Sequence, residues 1–318
     1  MNEKNLVICD REFRYANGLG ENVSERSELA MQVYICTNLE HVVHFQERKR
    51  IHILIIDEKY TFAERKIANA EQVFVLTRDC CKDLQEHEKE IYKYQHADKI
   101  LAEIFEMYCE KTENNILKSI KKKKREIVAV YSPIHRVGKT TFALALGKEL
   151  AQKEKTLYLN LEEYADVEGR FMRADGRNLG DLLYYMRQEK GNFPLRLSNT
   201  LAKIDELDYV PPILNSTDLK EITISEWKRL LEQIVNESIY ETIVLDLGES
   251  IHGLFDILHM CDRIYMPILE NEISEKKLKR YEENLKLLQL DSILQKTSQF
   301  VSTHDLEEYA RKAAKGEC

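Results

Sequence analysis

Gly138-Lys139-Thr140 stands where an apolar run gives way to helical spacing, and these residue types suit the chemistry of binding phosphate. Backbone N–H groups of such a loop, and the positive end of the helix that follows, converge on phosphate oxygens. Lys139 then neutralises β/γ charge and the Thr140 hydroxyl ligates Mg²⁺. A second polar group ends the apolar run at 240–245, which delivers Asp246-Leu247-Gly248. A carboxylate there holds the Mg²⁺ shell through water or through Thr140. Gly248 and Gly253 let the backbone turn away from the γ-phosphate. Without an N-K-x-D guanine-reading motif, the nucleotide expected is ATP rather than GTP.

The elements that must position these groups follow from the spacing. Residues 127–131 read as a buried strand, 132–138 as a loop, and Phe142, Leu146 and Leu150 as one stripe of a helix. The pattern G-x-x-x-x-G-K-[ST] is only half present. Pro133 takes the place of the first glycine, followed by Ile134, His135, Arg136 and Val137, with Thr141 beyond the tripeptide. Strand, loop and helix in that order nonetheless make 133–141 a phosphate loop. Residues 156–159 form the next strand and end in Asn160-Leu161-Glu162, polar residues at the carboxyl end, where an open α/β sheet binds ligands. Further on, 179–188 read as a helix, and Val210-Pro211-Pro212 closes a short strand. Thr223 and Glu226 have capping-box spacing ahead of a helix with core-facing Trp227. Strand 263–269 and a helix through Leu278, Tyr281, Leu285 and Leu288 follow.

The N-terminal part alternates strands at 6–9, 32–36, 51–56, 72–76 and about 91–94 with helices such as 39–47. It closes with Ile100, Ile104 and Tyr108 at helical spacing, a small α/β domain with a parallel sheet. It resembles a response-regulator receiver domain, with Asp10, Asp57, Thr77 and Lys93 at that family's strand-end positions and Asp57 as the phosphoacceptor. Tyr94 replaces the proline usual after the lysine, and the segments 57–77 and 77–93 are short. Two readings stay open, a receiver phosphorylated at Asp57 and a pseudo-receiver used for docking or dimerisation.

A chain of 318 residues with 43% hydrophobic and 32% charged content has room for two cores. The domains expected are 1–112, a basic linker 113–125 ending in Lys121-Lys122-Lys123-Lys124-Arg125, and 126–318. The net charge of −8 argues against a broad nucleic-acid face. No apolar run reaches membrane-spanning length and residues 1–10 lack an export signal, so the expected location is cytoplasmic. The seven cysteines, an odd number without metal-ligand spacing, read as reduced thiols, vicinal Cys80 and Cys81 included.

Taken whole, the chain resembles the TadZ/CpaE-like branch of the MinD/ParA superfamily of P-loop ATPases. The likeness rests on domain order and on SPIHRVGKTT, YLNLEE, IVLDLG and CDRIYMPILENEISEKK. It implies a flavodoxin-like, receiver-like domain followed by a P-loop NTPase domain with a mainly parallel sheet. It also implies ATP and Mg²⁺ as cofactors, Thr140 and Asp246 as metal-holding residues, and Lys139, Glu162 and Asp246 as the catalytic group, Glu162 orienting water. The family's signature lysine falls on Ile134 and its glycines on His135 and Arg136. Arg136 is then either a replacement cation or a solvent-facing side chain. Asn160 and Glu162 replace the usual D-x-D, which implies slow hydrolysis at best. The resemblance further implies a homodimer that marks a cell site such as a pole and recruits pilus or secretion-assembly proteins. The tail 306–318 carries too little apolar surface for a membrane-seeking helix, so a protein partner would bring the chain to a membrane. Two alternatives are a scaffold whose phosphate loop has decayed and a phosphorelay output protein switched at Asp57.

Overall fold

The computed structural model describes residues 4–26, 28–79, 84–111, 116–117, 125–165, 171, 176–188, 192–302 and 305–317. The chain divides into two compact units, Met1–Ser119 and Ile120–Cys318.

In the first unit β1 (Lys4–Cys9), α1 (Phe13–Ser24), β2 (Met31–Cys36), α2 (Leu39–Gln46) and β3 (Ile51–Asp57) alternate. They are followed by α3 (Phe62–Arg65), β4 (Ala70–Thr77), β5 (Glu88–Tyr92) and α4 (Ala97–Lys111). Among the described residues the sheet has five strands, all parallel, in the order β2-β1-β3-β4-β5. Parallel strands covered on both faces read as unbroken apolar runs, which is why Ile53 to Ile56 shows no alternation. The order in which strands are added reverses between β1 and β3, so their carboxyl ends flank the switch point of a doubly wound sheet. Ile116 and Leu117, assigned by composition to the linker, are buried instead. Leu117 bridges Leu29, and Ala30 N–H donates to the Ile116 carbonyl at 2.7 Å. An apolar pair inside a polar stretch is driven to cover. Lys121 to Lys124, Cys80, Cys81 and Cys318 lie outside the described residues.

The second unit runs β6 (Glu126–Val130), α5 (Lys139–Ala151), β7 (Thr156–Leu161), α6 (Leu179–Arg187), α7 (Phe193–Thr200), β8 (Ala202–Ile204) and β9 (Leu207–Val210). Next come α8 (Ser216–Glu221), α9 (Ile224–Glu237), β10 (Thr242–Leu247), α10 (Leu254–Met260) and β11 (Arg263–Ile268). The unit closes with α11 (Glu272–Leu287), α12 (Asp291–Gln295), β12 (Thr297–Val301) and α13 (Leu306–Lys315). The described sheet has seven strands, β12-β11-β6-β10-β7-β9-β8, parallel except for β8 against β9. One face packs on α6, α9 and α11 around fully buried Trp227; the other packs on α5 and α13. The capping box at Thr223 and Glu226 starts α9 as the spacing requires. Strand β10 lies between β6 and β7, so the carboxyl ends of those three strands meet at one edge of the unit.

Candidate functional site

The loop after β6 is held from below. Ile134 and Val137 are buried, the Ile134 N–H donates to Ser132 Oγ at 3.1 Å, and His135 and Arg136 face outward. Two residues take left-handed backbone, Arg136 at φ 60° and Gly138 at φ 72°. An arginine in that region sits where the resemblance places a glycine, so the loop keeps a glycine-type turn without the glycine. At Gly138 a Cβ would lie 2.5 Å from Leu306 Cδ1, and Ser302 Oγ donates to the Val137 carbonyl at 2.8 Å. Thus the β12–α13 segment buttresses the loop, and α5 begins at Lys139 with its N–H groups facing outward along the helix axis.

Lys139 Nζ meets Glu162 Oε1 at 2.7 Å and donates to the Leu247 carbonyl at 3.0 Å. The Glu162 N–H donates to Asn160 Oδ1 at 2.9 Å, which fixes the carboxylate over the carboxyl end of β7. Gly248 allows this approach, because a Cβ there would lie 3.0 Å from the Leu161 carbonyl oxygen. Around these groups opens a cavity of about 390 Å³, lined by 136–141 with Asn160, Glu162, Tyr164 and Ala165.

Asp246 lies beneath it, fully buried in β10 and in register with Val130 on β6 and Asn160 on β7. Burial pushes its carboxyl up to about 6, offset in part by the nearby Thr140 hydroxyl. Oδ2 accepts from the Tyr158 hydroxyl at 3.0 Å, whereas Oδ1 has no hydrogen-bond partner among the described residues. A buried carboxylate oxygen without a donor, next to a hydroxyl and a phosphate loop, fits Mg²⁺. That ion takes one or two protein oxygens and completes its shell with phosphate and water. Thr140 and Asp246 would hold it and Lys139 would meet the phosphate charge. Among the described residues no cluster of three or more His, Cys, Asp or Glu side chains forms a separate metal site.

Of the residues expected in the cradle, Arg136, Val137, Gly138, Lys139, Thr140, Thr141 and Glu162 line the cavity. Ile134 is turned into the interior, His135 stands 3.4 Å from Glu249, and neither these two nor Pro133 lines it. Tyr158, Ser302 and Leu306 escaped the sequence reading. Only Tyr158 left a signal, since a tyrosine in a fully buried strand needs a partner for its hydroxyl.

In the first unit, Asp10, Asp57 and Lys93 do converge at the switch point, all buried. Lys93 Nζ bonds Asp10 Oδ2 at 2.6 Å and also Asp57 Oδ2. The remaining oxygens accept the N–H of Glu12 and of Lys59. Burial pushes Asp10 up, and Lys93 offsets this only in part; at Asp57 the Lys93 and Lys59 hydrogen bonds outweigh burial and the carboxyl is lowered. Thr77 donates to Glu90 Oε1 at 2.9 Å.

No family model matches the chain, and no curated protein does. Solved structures do. A putative plasmid partition protein from Borrelia burgdorferi B31, bound to AMPPNP, is 18% identical over 61% of this chain and 84% of its own, with a TM-score of 0.41. A ParA family ATPase from Chlorobium tepidum TLS is 14% identical over 60% and 81%, TM-score 0.45. The MinC:MinD cell division complex of Aquifex aeolicus is 19% identical over 55% and 68%, TM-score 0.41.

Proposed function

We propose that the second unit is an ATP-binding switch of the MinD/ParA type that works as a homodimer and hydrolyses ATP slowly or not at all. One observation carries this reading: Lys139, Thr140 and Glu162 line one cavity at adjacent strand ends, and the buried Asp246 of the strand between them lies next to Thr140. Lys139 binds the β/γ-phosphates, and Thr140 and Asp246 hold Mg²⁺. Glu162 leaves Lys139 when phosphate arrives and then orients water. In a TadZ/CpaE-like chain such a switch organises pilus or secretion assembly at a cell pole. It reaches the membrane through a protein partner; among the described residues no helix is long and apolar enough to cross one. The first unit serves as a pseudo-receiver for docking or dimerisation, a reading supported by Tyr94 in place of the family's proline and by the short segments 57–77 and 77–93.

Mg·ATP binding and dimerisation of the full chain, compared with Lys139→Ala, test the switch. Binding and dimer formation by the wild type alone support it; indistinguishable behaviour of the two removes it. A second reading, a scaffold with a decayed loop, is favoured by the inward turn of Ile134, which leaves no cation at the signature position. Steady ATP turnover rules that out.

A further inference from the structure

Tyr158 pairs with Val244 across the parallel register of β7 and β10, and Asn160 pairs with Asp246. Strand alternation puts these four side chains on one face of the sheet, the face that packs on α5. From that position the Tyr158 ring leans along the strands toward the diagonal neighbour rather than the direct one. Its hydroxyl donates to Asp246 Oδ2 at 3.0 Å and accepts from Asn160 Nδ2 at 3.2 Å. Asn160 Oδ1 in turn accepts the Glu162 N–H at 2.9 Å. Phe171 stacks on the tyrosine ring, with centroids 5.8 Å apart and planes at 17°, and both belong to the core cluster on this face.

A leucine or valine would satisfy the core demands of this position, as Leu157 and Leu159 do on either side. The hydroxyl is therefore the part that needs a reason. It engages one oxygen of the buried carboxylate and leaves the other, Oδ1, as the oxygen with no donor. Outer partners of a ligating carboxylate set which oxygen is presented and in which direction.

We infer that Tyr158 is a positioning residue for cation binding, holding Asp246 in one rotamer so that Oδ1 faces the Mg²⁺ shell, and tying that carboxylate through Asn160 to the backbone of Glu162. This rests on the second unit being a Mg·ATP site, and it adds a residue that neither the phosphate loop nor the family resemblance supplies.

The test is ATP binding by the full chain in calorimetry, with Mg²⁺ and with excess EDTA, together with Mn²⁺ titration followed by its EPR signal. Tyr158→Phe is expected to weaken Mg²⁺-dependent ATP binding and Mn²⁺ binding about tenfold while leaving ATP affinity in EDTA unchanged. Phe171→Leu removes the ring stacked on Tyr158 and keeps the hydroxyl; a smaller loss confined to the metal-dependent arm is expected, and it serves if Tyr158→Phe does not fold. Equal losses with and without metal would make Tyr158 part of the core only. Wild-type metal dependence in the folded variants would also overturn the inference. A wild type that gains no ATP affinity from Mg²⁺ overturns the parent reading as well, so the two failures are told apart by the wild-type arm.

Discussion

Replacing Glu162 by glutamine should strengthen nucleotide binding, although the same change should slow any hydrolysis. Glu162 Oε1 lies 2.7 Å from Lys139 Nζ, and the lysine side chain is only 10% exposed against 28% for the glutamate. Phosphate must therefore displace a carboxylate from the ammonium that is to bind it. The gross attraction of two charges about 4 Å apart at an effective dielectric near 20 is about 4 kcal/mol. Most of this returns when the freed carboxylate rehydrates, because it is partly open to solvent; about 1–2 kcal/mol is left as the net cost of displacement. Glutamine keeps the shape and a hydrogen-bonding oxygen but not the charge, so the dissociation constant of a non-hydrolysable ATP analogue should fall about 5- to 30-fold. Calorimetry at two salt concentrations checks this, with the gain shrinking as salt screens the pair. Lys139→Ala should erase the difference between the two backgrounds. Equal or weaker binding by Glu162→Gln would refute the idea that the pair opposes the ligand.

Three further outcomes follow from the geometry. Gly138→Ala combines a left-handed backbone with a Cβ 2.5 Å from Leu306 Cδ1, so it should cost at least about 1–2 kcal/mol in urea unfolding; adding Leu306→Ala should recover the steric part and leave the backbone part. Arg136→Gly relieves the strain at φ 60° and should stabilise the unit by about 1 kcal/mol; a simultaneous drop in ATP affinity identifies Arg136 as the replacement cation, and unchanged affinity identifies it as solvent-facing. Lys93→Met leaves Asp10 and Asp57 buried without their cation and should cost about 3–5 kcal/mol near neutral pH. Wild-type Asp57, lowered in the folded state, contributes stability that is present above the ordinary carboxylate range and lost as the pH falls through its lowered value; in Lys93→Met the slope should reverse, stability returning as acid neutralises both carboxylates, which urea unfolding across about pH 3 to 8 reads directly.

The parts of the fold that could be read from the sequence are those in which burial and local chemistry agree. Apolar runs in β1, β3, β6 and β10 announced themselves because both faces are covered, and the capping box at Thr223 marked the start of α9. The candidate site was legible as far as local pattern places residues at strand and helix ends, from Lys139 and Thr140 to Asp246. Beyond that the pattern ran out. Short β8 has three residues and one buried face at most, too little for any periodicity. The tail looked poor in apolar surface, yet α13 packs closely on α5 through Ala310 and Ala313, and Tyr309 stacks on Phe300 with centroids 4.0 Å apart. Small residues allow such an approach without raising the hydrophobic signal. The ion pair of Lys139 with Glu162 depends on β10 lying between β6 and β7, a matter of strand order that no local pattern records.

The two units place a lysine and carboxylates at the carboxyl ends of parallel strands, and the difference in how those charges are paired separates a closed site from an open one. In the first unit Lys93 is 2% exposed and lies between two carboxylates whose other oxygens take backbone N–H groups, so each charge already has its partners. Any anion or cation entering there must first break a buried pair, at a cost of several kcal/mol. In the second unit the inventory does not close. Lys139 has one part-exposed carboxylate and a carbonyl, Asp246 keeps an oxygen with no donor, and a cavity of about 390 Å³ adjoins both. An anion for the lysine and a cation for the aspartate are the complementary charges, and a Mg²⁺-bound triphosphate brings the two together in one ligand.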